Sequence, residues 1–534
     1  MAVGKVFNNL IGSSKKAKYP AVQGSELSVN MYYAKNGSQE YMESLPGLQY
    51  ISTIGGSCRG AYVSTIGLAE SHSTEDLFVA QGNAIYRMGL DGSKTKLGNI
   101  ASNGMRVSFA ETGGPTAYLL ACDGSSLWAY NLLEGGELQA VQLPERPFGD
   151  GGTIRPSHVA VVAGSIVVND VGSGYVYYSK PYPLNSEKRE MYEMEDGKVV
   201  YKDDGVTPKN IEVDSILHVF EDDYGLPKYF NGESSSDSVN AIYAVSGLLY
   251  LMGPKSCEIW QRGSGEYEDW LRVSYTVQSS FGLEAPASIA SCGNTLYFIA
   301  SGQQYGKSVM AFEGTTPRKI SDDWLDERLL LETSSAVGFC YSVNEHQFYV
   351  LQLNSLGETW VYDSLDGGWH KRVSRDKNSG AEIQWRVGCV SWWRSKFFAF
   401  TNDGLFCGFH RDYWYEDFSE NEKLPMIRHR QTAVITNELK PFTFEELAVE
   451  CNVGTWNDYE LKPMLLLEVS KDGGNTFGNV HSASLGRTGN YSHRVRWFTL
   501  GLNRLCVIRL TYSHPTDLVL TYCSIRAEQT GAMI

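Results

Sequence analysis

The chain has 534 residues, including 54 glycines and 32 tyrosines, and a formal net charge of −15 at pH 7. This acidic balance argues against a general nucleic-acid-binding surface, which would carry clustered Lys and Arg. No stretch approaches the ~18 consecutive apolar residues of a membrane span, and residues 1–20 hold four lysines but no apolar core of signal-peptide length.

The ten cysteines are scattered from Cys58 to Cys523 without a CxxC pair. This spacing supports neither a zinc ribbon nor a redox motif. We therefore expect synthesis in a cytoplasm, with reduced and mostly buried thiols.

Short apolar runs joined by glycine turns predict an all-β protein. The clearest unit spans residues 240–253, where two apolar runs flank Ser246-Gly247 and an aromatic run follows, as in a small antiparallel meander. Similar units lie at residues 78–88, 118–130, 290–300, 339–353 and 387–400. A spacing of ~35–50 residues between adjacent units is typical of propeller blades. We predict a β-propeller; a long sandwich, or two sandwiches, shares the same strand signals.

Asp-Gly dipeptides favour tight hairpin turns because glycine accepts the positive φ that such turns require. They occur eight times, at Asp91, Asp123, Asp150, Asp196, Asp204, Asp366, Asp403 and Asp472. A hairpin architecture explains them without a metal ion.

The predicted organisation begins with an extended N-terminal segment, residues 1–60, which closes or flanks the propeller. Residues 61–410 form the propeller and 411–430 a connector. Residues 431–534 are a C-terminal β-rich region, for which completion of the propeller stays open. Helix is expected only in short pieces, such as residues 322–331.

An acidic insertion interrupts the blades at residues 186–237. It holds 14 acidic residues against 6 basic ones, a net charge of −8. Apolar runs at 199–201 and 216–220 predict that part of it is an ordered hairpin. It is interpreted either as a solvated insertion or as a partner-docking or pore-lining excursion.

Residues 470–477 fit the Asp-box pattern of sialidases, in which Ser470, Asp472, Gly474, Thr476 and Phe477 stand at the required spacing. We expect a structural turn in which Asp472 accepts backbone N–H groups, Gly474 takes the strained φ and Phe477 enters the core. The turn carries no chemistry by itself.

Other motifs fall short of an enzyme. Residues 301–308 resemble a phosphate-binding loop but lack its first glycine and a following helix. Arg428-His-Arg430 and Tyr491-Ser-His-Arg494 are predicted as polar surface positions. Since no complete nucleophile, metal or phosphate constellation is present, we predict no catalytic residue, no cofactor and no metal.

A series of short motifs stands in one order between residues 28 and 501. They are Ser28-Val-Asn-Met-Tyr-Tyr33, Leu45-Pro-Gly-Leu48, Cys58-Arg-Gly-Ala61, Ser256-Cys-Glu-Ile-Trp260, Gly282-Leu-Glu-Ala-Pro286, Pro317-Arg-Lys-Ile-Ser321, the Asp-box, Leu485-Gly-Arg-Thr-Gly489 and Val495-Arg-Trp-Phe-Thr-Leu-Gly501. The series resembles the packaged-DNA stabilisation proteins of short-tailed phages, the tail hub or nozzle family. Leu283 stands where that family usually has Cys.

The resemblance implies a structural virion protein of the phage tail, assembled in the host cytoplasm. Family members form a homohexameric ring below the portal and its adaptor ring. The ring continues the DNA channel, retains packaged DNA, passes it during ejection without sequence-specific binding, and contacts fibre, needle or plug proteins. In this interpretation Glu221, Asp222 and Asp223 are candidates for the lining of the channel or its mouth. A glycan-binding or glycan-cleaving tail propeller and a cytoplasmic propeller scaffold are the alternatives.

Overall fold

Tight turns fold the apolar runs into antiparallel hairpins, as predicted. Ser246 and Gly247 have φ of 51° and 78°, the left-handed pair that joins two strands with the right twist. Asn344-Glu345 and Arg394-Ser395 repeat this geometry without glycine. In seven of the eight Asp-Gly pairs the glycine has a positive φ. The eighth pair, at Asp150, lies outside the described residues.

The structure is a computed structural model. It describes residues 5–7, 26–37, 39–66, 75–113, 117–146, 152–232, 237–263, 270–273, 281–302, 306–333, 335–436, 440–453, 461–489 and 491–529. The lysine-bearing segment 8–20 lies outside these ranges. Among the described residues, no helix is long and apolar enough to cross a membrane.

Five strands come from the N-terminal segment. They are β1 (Lys5–Phe7), β2 (Leu27–Val29), β3 (Met31–Asn36), β4 (Gln39–Ser44) and β5 (Gln49–Thr53).

Seven antiparallel sheets then follow one another as the blades of a propeller. Blade one contains β6 (Cys58–Ser64), β7 (Asp76–Gln81), β8 (Ala84–Met88) and β9 (Lys94–Asn99). Blade two contains β10 (Ser108–Glu111), β11 (Tyr118–Cys122), β12 (Leu127–Asn131) and β13 (Gly135–Ala140). Blade three contains β14 (Val159–Val162), β15 (Ser165–Asn169), β16 (Tyr175–Pro181) and β21 (Tyr229–Asn231), and between its last two strands lie the insertion strands β17 (Lys188–Tyr192), β18 (Met194–Glu195), β19 (Lys198–Val199) and β20 (Asn210–Asp214).

The remaining blades have the same plan. Blade four contains β22 (Ala241–Val245), β23 (Leu248–Met252), β24 (Cys257–Arg262) and β25 (Trp270–Arg272). Blade five contains β26 (Gly282–Leu283), β27 (Ala290–Cys292), β28 (Thr295–Gly302), β29 (Gly306–Glu313) and β30 (Thr316–Lys319). The helix α1 (Asp323–Leu331) precedes blade six, which contains β31 (Val337–Val343), β32 (His346–Leu353), β33 (Glu358–Asp363) and β34 (Trp369–Lys371). After the hairpin β35 (Val373–Arg375) and β36 (Glu382–Gln384), blade seven contains β37 (Val387–Trp393), β38 (Lys396–Thr401) and β39 (Leu405–Gly408).

Two local predictions are confirmed in blade five and the helix after it. Strand β29 begins at Gly306, within the phosphate-loop look-alike at residues 301–308, so the chain leaves this loop as a strand and not as a helix. Asp322 caps α1 by accepting a hydrogen bond from the Leu325 backbone N–H at 2.9 Å, which satisfies one of the free donors at a helix start.

Blades are apolar on both faces because each packs between two neighbours. Seven buried clusters lie one between each pair of consecutive blades, and an eighth fills the sandwich described below. Between blades seven and one, for example, Phe400 and Phe406 pack with Leu77 and Val79. The apolar runs in the sequence are therefore nearly continuous, unlike the alternating pattern of a sheet with one wet face.

The N-terminal segment completes the ring. Strand β5 pairs antiparallel with β39, with Ser52 opposite Phe406, and supplies the outer strand of blade seven. The described strands of residues 431–529 form a separate sandwich and add no blade to the propeller. Closure thus joins residues more than 300 positions apart in sequence.

The C-terminal strands form a β-sandwich. After the hairpin β40 (Tyr415–Asp417) and β41 (Lys423–Pro425) come β42 (Arg428–Gln431), β43 (Ile435–Thr436), β44 (Phe442–Asn452), β45 (Met464–Ser470), β46 (His481–Ser484), β47 (Ser492–Phe498), β48 (Leu502–Asn503), β49 (Leu505–Tyr512) and β50 (Val519–Gln529). One sheet has the order β3-β4-β50-β44-β47 and the other β2-β42-β49-β45-β46. Leu447 and Ile525 of the first sheet pack with Leu465 and Ile508 of the second.

Propeller and sandwich share backbone hydrogen bonds. Strand β2 pairs parallel with β34 of blade six and antiparallel with β42 of the sandwich, so one sheet runs through both. Residues 411–430 also pack against the N-terminal segment: the Gly47 and Leu48 N–H groups donate to the Tyr413 and Tyr415 carbonyls at 2.7 and 2.8 Å. A Cβ at Gly47 would lie 2.2 Å from the Tyr415 carbonyl oxygen, so only glycine fits this position of the Pro-Gly-Leu motif.

The expectation of reduced thiols is wrong for one pair. Cys292 and Cys340 form a disulfide with Cα atoms 5.7 Å apart, within the range that a disulfide spans. They meet because β27 and β31 are the inner strands of neighbouring blades. The other eight cysteines are free and buried.

Replacing Phe406 by Ala tests the closure of the ring. Its side chain is fully buried, with ring centroids 5.2 and 5.0 Å from Phe398 and Phe400. We expect a loss of ~3–5 kcal/mol in unfolding free energy because a large cavity remains. Phe498→Ala, at a residue 59% exposed, is the control and should change stability by less than ~0.5 kcal/mol. Equal effects in denaturant unfolding curves would contradict this packing.

Candidate functional site

The propeller axis is a narrow tunnel lined by the inner strands of all seven blades. Its cavity has a volume of about 710 Å³, the size of a small-molecule pocket. One turn of duplex DNA is ~34 Å long and its major groove alone is ~12 Å wide. Double-stranded DNA therefore does not fit through the axis of a single subunit.

Burial shifts the pKa of two titratable groups of the tunnel toward the neutral form. Burial raises the pKa of the Glu111 carboxyl and lowers the pKa of the His158 imidazole to about 4. Ser157 Oγ lies 2.8 Å from His158 Nδ1, but it also donates to the Asn240 carbonyl at 3.1 Å. This network ties blade three to blade four. Within the described ranges, no group of three or more His, Cys, Asp or Glu side chains is arranged to hold a metal ion.

The acidic insertion is a β-ribbon that leaves the outer half of blade three, away from the tunnel. Strands β17 and β20 pair over five residues each, and β18 and β19 extend the ribbon. Glu190 lies directly opposite Glu212, and Asp214 lies on the same face opposite Lys188. Like charges opposite each other destabilise a pair of strands, so the Glu190–Glu212 pair does not stabilise the ribbon. With three acidic residues and one lysine, this exposed face of the ribbon is predominantly negative.

The three candidate carboxylates lie where the ribbon meets the outer strands of blade three, and each has a local partner. Glu221 Oε2 is 2.7 Å from His218 Nδ1. Asp222 Oδ1 accepts from two backbone N–H groups of the following turn at 2.8 and 2.9 Å. Asp223 Oδ1 lies 2.5 Å from Lys180 Nζ and 3.7 Å from Arg189 Nη2. The structure places them together at one end of the ribbon.

Sequence reasoning did not single out the carboxylates of the ribbon face. Glu190, Glu212 and Asp214 are exposed, and Glu190 accepts a hydrogen bond from Asn210 Nδ2 at 2.8 Å. The signal was present as alternating charged positions in β17 and β20. The pairing register that places Glu190 beside Glu212 is set by tertiary structure.

The Asp-box turn is organised around the Asp472 carboxylate. It accepts from the Asn475 and Thr476 backbone N–H groups at 3.0 and 2.9 Å, and from Ser470 Oγ and Thr476 Oγ1 at 2.7 and 2.5 Å. Gly474 has φ of 100°. Hydrogen bonds from the Ser470 and Thr476 side chains hold the pKa of Asp472 well below its usual range. The carboxylate is thus occupied by its own turn.

The expectation that Phe477 enters the core is wrong. Phe477 is only half-buried, and the Arg509 guanidinium carbon lies 3.8 Å from its ring centroid. Arg509 also makes two 2.9 Å hydrogen bonds to Glu468. The ring covers this ion pair because the chain leaving the turn folds over the outer face of β45 and β49.

The expectation that Arg428 and Arg430 are surface residues is also wrong. Arg428 is fully buried and donates to the Thr516 carbonyl at 2.7 Å, to Ser44 Oγ at 3.2 Å, and to the His514 carbonyl. Burial lowers the pKa of Arg428 to about 10, so it stays charged at neutral pH.

Arg430 is buried on the same strand and shares an ion pair with Glu26. It also donates to Ser28 Oγ at 3.0 Å. Strand β42 lies between β2 and β49 in its sheet, and both arginine side chains reach residues of the N-terminal segment. They hold the N-terminal segment onto the sandwich.

Two substitutions test whether the Asp-box turn is structural. Asp472→Ala removes the acceptor of the turn, and Gly474→Val places a branched residue at positive φ. Both should lower the melting temperature and impair assembly. Because the folded-state pKa of Asp472 is lowered, its stabilisation is present above pH ~4 and is lost as the pH falls further. The difference from the parent should therefore be full at pH 7 and shrink in acid.

Asn479→Ala, at an exposed position of the same hairpin, is the control and should melt like the parent. If both turn variants also melt like the parent while a binding activity is lost, the turn is a binding site.

Comparison with known proteins supports the architecture. A family model described as the β-propeller of bacteriophage P22 Gp10 matches residues 219–414, and one described as its β-sandwich matches residues 427–528. No curated protein matches the chain.

Solved structures are similar at low identity. Virginiamycin B lyase from Staphylococcus aureus is 11% identical over 68% of this chain and 98% of its own, with a TM-score of 0.37. The Cps50 (Swd1) β-propeller domain of Myceliophteria thermophila is 10% identical over 67% and 98%, with a TM-score of 0.34. The two family matches cover more than half of the chain; the first spans the end of blade three to blade seven of the observed propeller, and the second spans the sandwich. The chain therefore belongs to the bacteriophage P22 Gp10 family of structural phage tail proteins, which are involved in the stabilisation of packaged DNA.

Proposed function

We propose that this protein is a tail hub subunit that forms a homohexameric ring below the portal and adaptor of a short-tailed phage. The ring continues the DNA channel, retains packaged DNA and passes it during ejection. The observation that carries the proposal is the pair of family matches, to residues 219–414 of the propeller and residues 427–528 of the sandwich. The protein acts as a structural component without catalysis or cofactor.

The DNA passes between subunits in this proposal. The tunnel of one propeller is several times too small for a helical turn of duplex, so the channel is the central opening of the ring. Each subunit then presents one outer surface to the DNA, and charges on that surface decide how the duplex moves.

An acidic channel wall keeps the duplex mobile. DNA carries one charge per ~1.7 Å, and Lys or Arg facing it would capture phosphates and slow ejection. Six copies of a chain of −15 carry about −90. Screening limits the effect to ~8–10 Å at physiological ionic strength, so only carboxylates that face the lumen contribute.

The acidic insertion is the proposed lining or distal mouth of this channel, with Glu221, Asp222 and Asp223 as its first candidates. The exposed carboxylates of the ribbon face extend the same negative surface. Other surfaces of the ring would contact the adaptor and the fibre, needle or plug proteins, and assembly takes place in the host cytoplasm.

The functional units proposed here are the N-terminal segment 1–60, the propeller 61–410, the connector 411–430 and the C-terminal region 431–534. Strand β2 is hydrogen-bonded to both the propeller and the sandwich. These hydrogen bonds support treating the two units as one rigid body in the hexameric ring.

Stepwise assembly tests the proposed function. The purified chain mixed with the portal and adaptor proteins of the same phage should form one complex whose mass corresponds to six added copies, measured by light scattering or native mass spectrometry. No complex at concentrations that saturate the adaptor would contradict the hub. Turnover of a host surface polysaccharide by the same preparation, lost on mutation of one carboxylate, would favour the glycan-cleaving alternative.

Removing three charges tests the placement of the insertion. The substitutions Glu221→Gln, Asp222→Asn and Asp223→Asn keep side-chain size while removing three charges per subunit. Assembled particles should keep their rings but change in DNA retention or release rate, with an altered dependence on salt.

The matched control neutralises Asp412, Glu420 and Glu422, three exposed acids of the connector, and should leave retention and release unchanged. Equal behaviour of the two triple variants would contradict the placement of the insertion at the channel.

A further inference from the structure

Two cysteine pairs bridge neighbouring inner strands of the propeller. Cys292 and Cys340 are joined by a disulfide between blades five and six. Cys58 of β6 and Cys389 of β37 face each other between blades one and seven, where the ring closes, and their sulfur atoms are 3.1 Å apart. The second pair therefore lies at the boundary where the first and the last blade of the propeller meet.

We propose that Cys58 and Cys389 form an oxidative modification site, at which a low-molecular-weight disulfide converts the thiol pair into a reversible covalent clasp on the propeller ring. This inference goes beyond the proposed function.

The geometry favours this bond. A disulfide is ~2.05 Å long, so the two sulfur atoms need to approach by only about 1 Å. The strands are already in close contact, because a Cβ at Gly388 would lie 2.7 Å from the Cys58 Cβ. Small rotations of the two side chains suffice, and the blades keep their positions.

The electrostatic surroundings favour the thiolate form of Cys58. The hydrogen bond from the Cys389 thiol lowers the pKa of Cys58 against the opposing effect of burial, and the Arg106 guanidinium lowers it further. Burial raises the pKa of Cys389. Arg106 is held in place by donating to the Gly388 carbonyl at 3.1 Å. Thiolates, and not thiols, attack disulfides.

The tunnel reaches the pair at Cys389, and Cys58 lies next to that residue with its sulfur 3.1 Å away. Each cysteine is 5% exposed, and Cys389 and Arg106 both line the cavity of about 710 Å³. A pocket of this volume admits a small molecule. Buried thiols on the middle strands of the blades, such as Cys122, do not line this cavity.

The reaction is a thiol–disulfide exchange. A thiolate of the pair attacks one sulfur of glutathione disulfide, and one glutathione leaves as its thiolate. The other cysteine loses its proton and attacks the protein sulfur of the mixed disulfide, which releases the second glutathione. Two protein thiols are oxidised to one disulfide while one glutathione disulfide is reduced to two glutathiones.

The clasp would link residues 331 positions apart, and a cross-link across so long a loop restricts the unfolded chain strongly. The cytosol keeps thiols reduced, whereas the extracellular medium does not. If the proposed function holds, the propeller would therefore assemble in the host with Cys58 and Cys389 reduced. The disulfide would form only after the virion is released.

Peptide mapping of the folded parent protein tests the proposal. The protein is equilibrated in glutathione buffers of graded redox ratio, alkylated, digested without reduction and analysed by mass spectrometry. Besides the Cys292–Cys340 link, we expect one major new cross-linked peptide that joins Cys58 to Cys389. The melting temperature should rise by several degrees in the oxidising buffers and fall again after re-reduction.

Cys389→Ser should lose both the cross-link and its share of the temperature shift, while Cys257→Ser, at a buried thiol of blade four, should keep both. The parent protein alone decides the outcome if Cys389→Ser fails to fold. Complete alkylation of Cys58 and Cys389 in the oxidising buffers, without a linked peptide, would overturn the proposal. So would a cross-link that leaves the melting temperature unchanged, because the clasp would then not restrain the ring.

Discussion

Every blade of this protein needs an apolar neighbour on each of its two faces, and the rest of the structure depends on that requirement. A linear row of blades would leave two apolar faces in water, at ~25 cal/mol for each Å² exposed. The ring removes both faces at once. Hydrogen bonds also close the ring. Strand β5, which precedes the first blade in the sequence, pairs with β39 and forms the outer strand of blade seven. Closure therefore depends on a segment made before any blade.

The same N-terminal segment joins the propeller to the sandwich. Within about 30 residues, β2 bridges blade six and β42, β3 and β4 enter the sandwich, and β5 enters the propeller. Arg428 and Arg430 secure this crossing from inside the protein. A buried charge is costly unless it is hydrogen-bonded, and Arg428 donates two of its three hydrogen bonds to backbone carbonyls of the turn after β49. Because these two buried arginines bind the N-terminal segment, that segment helps to fix the position of the sandwich relative to the propeller.

The closed ring also separates the two surfaces that the two proposals concern. The tunnel is narrow and has Cys389 in its wall, with Cys58 beside it. The negative charge is concentrated on a ribbon that leaves the outer half of blade three. A propeller of this kind acts as a rigid support for its insertions, which is the usual relation between a scaffold and its functional loops. The proposals for DNA passage and for oxidation therefore concern different faces of the subunit.

Local signals in the sequence were sufficient for the strands, the turns and the one helix. Apolar runs around glycine turns identified the hairpins, Asp322 marked the helix start, and the Asp-box residues indicated their own hydrogen bonds, because each of these depends on neighbours within a few positions. Tertiary structure alone decided the blade number, the closure by β5, the burial of Arg428 and Arg430, the half-exposed position of Phe477, and the meeting of Cys58 with Cys389. These features depend on pairs separated by up to several hundred residues. Strand pairing across such distances is selected by the packing of whole sheets, and no single stretch of the sequence encodes it.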